Sequence, residues 1–115
     1  MEVQVFGVKK SPATRAALRF FAERRIKLHF VDLLERAASK GELSRFAQRF
    51  GVAALLDRGS RRFGELGLAS AGYSDARWLE QLAEEPLLLR MPLVRCGRHL
   101  TVGAAEESWR GWVRR

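Results

Sequence analysis

The chain begins with a short alternation. Residues 2–6, EVQVF, place polar and apolar side chains at every second position and are rich in β-branched residues, which predicts a strand. From residue 12 the period changes. Ala13, Ala17, Phe20 and Phe21 recur at three- and four-residue steps, with Arg15, Arg19 and Glu23 on other faces, which predicts an amphipathic helix over about 12–24. Ser11 and Pro12 mark its start: serine is a favoured N-cap, and the first helical position is where proline's missing N–H costs least. Residues 27–31, KLHFV, predict a second strand. The short strand–helix–strand spacing makes it parallel to the first through a right-handed crossover.

A polar connection from Asp32 to Lys40 leads to a helix expected at 41–50, with Leu43, Phe46, Ala47 and Phe50 on one side and Gly51 as its stop. Short helical pieces broken at Gly59, Gly64 and Gly67 should follow. The next helix, about 75–84, is capped by Ser74 or Asp75 and turns Trp78, Leu79 and Leu82 inward. The last third predicts a proline-headed strand at Leu93–Val94, a tight turn at Cys96–Gly97, a strand at Leu100–Val102 and a helix over about 104–113 presenting Ala105, Trp109, Trp112 and Val113. The order is βαβ, several helices, then ββα.

A length of 115 residues with 47% hydrophobic content suits one domain with a real core, here residues 1–115 with a helical insertion at about 41–85. No apolar run approaches the ~20 residues of a membrane span, and the N-terminus has no signal-peptide pattern, so the expected location is the cytoplasm without membrane association. Cys96 is the single cysteine, which excludes an internal disulfide and a CxxC pair; by its position it reads as a turn thiol. His29 and His99, the two histidines, stand at no zinc-binding spacing, so no metal site is expected. The formal charge is +8, which favours anionic partners. Nucleic acid has only that charge in its favour, because no helix-turn-helix, RNP-like or zinc-finger pattern is present.

Three segments carry a resemblance: VFGVKKSPATRAAL after the first strand, GVAALLDRGSRRFGELGL after the first inserted helix, and LLRMPLVRCGRHLTVG near the end. In this order they resemble the arsenate reductase (ArsC) family, which includes the Spx-like transcription regulators. The resemblance covers nearly the whole chain. It implies an α/β thioredoxin-like fold, a four-stranded mixed sheet with the helical insertion between its two halves. It also implies a site. The family carries a reactive cysteine at the start of the first helix, an arginine four residues on, a basic residue after paired leucines, and a proline, usually cis, opening the third strand. Ser11 takes the cysteine position, Arg15 the arginine, Arg58 follows Leu55–Leu56, and Pro92 takes the proline position. The family's arginine directly before that proline is Met91 here, with Arg90 one step earlier. Thr14 stands where Spx-like members can have a second cysteine.

The serine changes the expected chemistry. A helix N-terminus and nearby arginines lower a thiol's pKa and supply a thiolate. A serine hydroxyl ionises far less readily and needs an adjacent base, and no serine–histidine arrangement is visible. The expectation is therefore a protein with no catalytic residue at position 11 and an anion pocket built from Ser11, Thr14, Arg15, Arg58 and Arg90. Its ligand would be a small anion or glutathione; no resident cofactor is expected. The partner could instead be an acidic protein, with RNA polymerase the example that the Spx-like resemblance supplies. The competing expectation is an arsenate reductase or a glutathione-dependent thiol oxidoreductase or transferase, in which glutathione would bring the sulfur.

Overall fold

A computed structural model describes residues 1–114; Arg115, the last of the basic tail Arg110, Arg114 and Arg115, lies outside the described residues. The backbone forms two compact units, one of Met1–Arg36 with Met91–Arg115, the other of Ala37–Arg90.

The first unit holds β1 (Glu2–Gly7), α1 (Pro12–Glu23), β2 (Lys27–Asp32), β3 (Leu93–Cys96), β4 (His99–Val102) and α5 (Glu106–Val113). Its four-stranded sheet runs β2-β1-β3-β4. β1 pairs parallel with β2 from Glu2↔Lys27 to Gly7↔Asp32, and β3 joins β1 and β4 antiparallel, so the sheet is mixed. The period of two sorts its faces. Val3, Val5 and Val94 share one face and pack in a cluster with Ala17, Phe20 and Phe21 of α1 and Trp109 and Trp112 of α5. Phe20 and Phe21 lie 5.7 and 5.6 Å from the Trp109 ring, in the tilted arrangements aromatic pairs prefer. The buried indole N–H of Trp109 donates to Thr101 Oγ1 at 2.9 Å, which places its polar atom on the edge strand. Glu2, Gln4, His29 and Arg95 occupy the opposite face and line an open hollow of about 240 Å³.

The expected boundaries hold closely, with three differences in this unit. Cys96 is the last residue of β3, paired with His99, rather than part of the turn; Gly97, at φ 61, begins the turn instead. The first helix ends without a glycine. Arg25 adopts φ 55, and the Arg25 and Ile26 N–H groups bond Ala22 O and Phe21 O, the paired closure that a left-handed residue allows after a helix. The last helix starts at Glu106, two residues later than its apolar spacing predicts. The Met91–Pro92 peptide bond is cis, and Pro92 O accepts from Gly103 N–H at 2.9 Å.

The second unit is helical: α2 (Lys40–Phe50), a 3₁₀ turn at Val52–Leu55, α3 (Arg61–Glu65), a turn at Leu68–Ser70, α4 (Asp75–Glu84) and a turn at Pro86–Leu88. α2 begins one residue before its apolar pattern. Ser39 and Glu42 form a reciprocal capping box there, in what the polar composition made a connection. Gly64 lies inside α3 and does not break it, whereas Gly51 and Gly67, at φ 85 and 64, do mark ends. Leu43, Phe46, Leu55, Phe63, Trp78, Leu82 and Leu88 are buried. Arg62 crosses this unit to Glu85 through two hydrogen bonds of 3.0 and 2.9 Å. Those bonds hold the Glu85 carboxyl below its ordinary pKa. No helix among the described residues is long and apolar enough to cross a membrane.

Two outcomes follow. A methyl group added to Gly7 would fall on the Thr14 side chain, 2.7 Å from Cγ2 and closer still to Oγ1. Gly7→Ala should therefore cost about 1–3 kcal/mol by urea unfolding, and at least half of that cost should vanish in a Thr14→Ala background. Because the Glu85 pKa is depressed, the stability it contributes is present above the unfolded carboxylate range and is lost as pH falls below it. On acidification from about pH 5 to pH 2.5, the thermal midpoint of Glu85→Gln should drop less than that of the wild type; equal drops would show that the pair is silent.

Candidate functional site

The loop from β1 to α1 is short and tied at both ends. Gly7 O accepts from Leu33 N–H at 3.0 Å, and Ser11 N–H donates to Val8 O at 3.0 Å. Ser11 has extended dihedrals, φ −73 and ψ 118, and its hydroxyl accepts from Thr14 N–H at 3.2 Å. This is N-capping, and the same device recurs in the chain. Ser39, Ser60 and Ser74 each accept from the N–H three residues on, at 3.1, 3.2 and 3.2 Å. Ser11 thus shares its geometry with three serines that start helices in the other unit.

Thr14 is fully buried, and its Oγ1 has no hydrogen-bond partner. Arg15 is exposed, and its Nη1 donates to the Lys9 and Lys10 carbonyls at 3.0 and 3.3 Å, which folds the guanidinium back over the loop. Its Nε–H and Nη2 donors are not used in these bonds. At the helix start Pro12 has no N–H, Thr14 N–H goes to Ser11 Oγ and Arg15 N–H to Ser11 O. Ala13 N–H is the first-turn donor left without a protein partner among the described residues. The first turn therefore offers an anion one backbone N–H, the positive end of a 12-residue helix, and a guanidinium beside two lysines.

Sequence placed five side chains together. The structure brings Ser11, Thr14 and Arg15 into one helical turn, with Thr14 turned into the interior. Arg58 and Arg90 belong to the helical unit. Arg58 is exposed with its guanidinium 5.6 Å from the Phe63 ring, and Arg90 N–H donates to Leu55 O at 2.8 Å. Pro92 is buried at the head of β3. No group of three or more His, Cys, Asp or Glu side chains among the described residues could hold a metal ion. Cys96 is buried, and burial pushes its thiol pKa up, which lowers its thiolate content at neutral pH. The Arg15 clamp on the loop carbonyls has no signal in composition or spacing, because backbone acceptors are invisible in a sequence.

The fold and this helix start define an α/β protein of the thioredoxin-like class. The model of the ArsC family matches residues 6–112, and the chain belongs to that family. An arsenate reductase of Neisseria meningitidis is 29% identical over 112 residues, covering 93% of this chain and 94% of that protein. A solved arsenate reductase from Vibrio cholerae superposes with a TM-score of 0.81 at 27% identity, covering 94% of each chain. A solved protein called YffB reaches a TM-score of 0.87 at 20% identity, covering 95% of this chain and 96% of that one, a likeness of fold. The chain is therefore arsenate reductase-like in family and architecture.

A thiol placed at position 11 should read out this electrostatic environment. Ser11→Cys is expected to react with a disulfide reagent at pH 7 at least about tenfold faster than Cys96 does in the wild type, because the helix end and Arg15 favour a thiolate while burial disfavours one. Equal rates, measured by release of the reagent's chromophore, would mean that the first turn carries no effective positive potential.

Proposed function

We propose that this protein is a non-catalytic ArsC-family domain that binds an anionic ligand at the first turn of α1. The observation that carries this reading is the Ser11 side chain, engaged as an N-cap to Thr14 N–H one helical turn before the exposed Arg15. A serine hydroxyl needs an adjacent base to become a nucleophile, and the Ser11 side chain's one hydrogen bond among the described residues is to Thr14 N–H, while the chain's other candidate nucleophile, Cys96, is buried with a raised pKa. What the turn does offer is attraction for negative charge, with arginine suited to two-point contact with an oxyanion or carboxylate. Small oxyanions and glutathione, which carries two carboxylates, fit that chemistry; an acidic protein segment is the macromolecular version of the same reading.

The second reading is an arsenate reductase that draws its sulfur from glutathione. The observation in its favour is the 29% identity, over almost the full chain, to proteins called arsenate reductase. Here glutathione would have to supply both electrons for the step from arsenate to arsenite, ending as its disulfide with loss of water.

A thermal-shift titration separates the readings. Glutathione, arsenate, phosphate and sulfate are each added to the wild type and to Arg15→Ala. A ligand that binds only the folded state raises the melting temperature, equivalent to about 2.7 kcal/mol at one hundred times its dissociation constant. The expected result is a saturable rise for at least one compound that Arg15→Ala abolishes, with no arsenite formed by the wild type in glutathione. Arsenite production by the wild type would replace this reading with the reductase. Absence of any shift would remove the small-ligand version.

A further inference from the structure

The positive charge is unevenly carried. Residues 1–36 and 91–114 of the sheet unit have twelve Lys/Arg against six Asp/Glu, a formal +6, while residues 37–90 have eight against seven, a formal +1. In the helical unit four of the eight cations, Lys40, Arg61, Arg62 and Arg77, meet a carboxylate. A run of cations in the sheet unit does not. Lys9, Lys10, Arg15 and Arg19 are all exposed, and among the described residues none of them has a carboxylate within ion-pair distance. Arg15 and Arg19 are four residues apart on one face of α1, about 6 Å along its axis. Lys9 and Lys10 lie in the loop just before the positive end of the helix. The helix has a single carboxylate, Glu23, at its last residue. Arg15 also ties the Lys9 and Lys10 carbonyls to the helix, so both lysine side chains leave a backbone held in place.

The surroundings of this line indicate its partner. A protein–protein interface has an apolar or aromatic centre within a polar rim. The other exposed positions on α1 are Pro12, Ala16, Ala22 and Glu23, and the large exposed hydrophobic residues of the described chain are elsewhere, at Met1, Leu34, Phe50 and Leu87. Base stacking needs exposed aromatics, and Phe20, Phe21, Trp109 and Trp112 are buried. A line of unpaired cations with neither an apolar anchor nor a stacking platform fits a partner that presents repeated negative charge and nothing else. We propose that Lys9, Lys10, Arg15 and Arg19 form a docking surface for the phosphate backbone of duplex nucleic acid, bound by charge without base readout. This goes beyond the small-ligand reading and does not depend on it.

The test is fluorescence anisotropy with a labelled DNA duplex across a salt series. Four phosphate contacts predict a slope of log affinity against log salt of about −3 to −4. Lys9→Gln/Lys10→Gln/Arg19→Gln leaves Arg15 in place and should weaken binding at least roughly tenfold at low salt and bring the slope near −1. A control that removes the same charge from the helical unit, Arg45→Gln/Arg49→Gln/Arg61→Gln, should bind within about twofold of the wild type. Melting curves establish that both variants are folded. Equal weakening by the two variants would overturn the proposal in favour of diffuse attraction, and so would full retention of affinity by the first. Displacement of the duplex by polyglutamate at lower charge concentration than by unlabelled duplex would assign the surface to an acidic protein instead. A strong dependence on duplex sequence would overturn charge-only binding. Glutathione and oxyanion shifts are scored separately, so failure of either proposal leaves the other standing.

Discussion

The close approach of Gly7 and Thr14 is the contact on which the rest of the sheet unit depends. Gly7 ends β1, and the space a side chain would need there is filled by Thr14 from the first turn of α1. Gly7 also accepts from Leu33 N–H, so the strand end is held from its other side by the chain leaving β2. With strand and helix in contact at this point, the loop between them has little freedom, and Ser11 falls where it must cap. One turn and more further along, Phe20 and Phe21 come down on Val3, Val5 and the two tryptophans of α5. This close packing leaves Thr14 Oγ1 buried without a partner. Burying such a group costs about 1–3 kcal/mol, which the aromatic and aliphatic cluster offsets.

The same junction sets the chemistry of the site. A helix that starts at a serine and a proline has few backbone donors left for a ligand, since one N–H is missing and two are used internally. The site is therefore more a positive potential than a hydrogen-bonding cradle, with side-chain cations supplying most of its attraction. Arg15 serves both structure and charge. One nitrogen fastens the loop, and the side chain remains exposed with its charge intact. In the helical unit arginine is used differently: Arg62 is spent on Glu85, and Arg58 lies over Phe63. Arginine thus plays different parts in the two units.

Much of this was legible from residue order. Strand and helix periods, proline at a helix start and glycine at Gly51 are local signals, and they located nearly every element of both units. The capping box at Ser39 is written in the chain as Ser39-x-x-Glu42, a local signal that the polar composition of the segment masks, whereas the non-glycine closure at Arg25 depends on a backbone dihedral that residue type does not encode. Residue type makes Gly64 a helix breaker, yet it is tolerated inside a short helix that Ser60 caps and Phe63 anchors in the interior. Its place beside Gly97 puts Cys96 in a turn by sequence, whereas pairing with His99 extends the strand to include it.

By itself the sequence determined the order of elements, the family, the serine at the head of the first helix and the excess of positive charge, because each is written in neighbouring residues or in composition. Only the tertiary structure decided what those residues face. It turned Thr14 inward against Gly7, folded Arg15 onto the carbonyls of its own loop, buried Cys96, and, among the described residues, left Lys9, Lys10 and Arg19 with no carboxylate at ion-pair distance. The reason is physical. Hydrogen-bond partners, burial and ion pairs are set by distances between residues far apart in the chain, or by backbone atoms that every residue has in common.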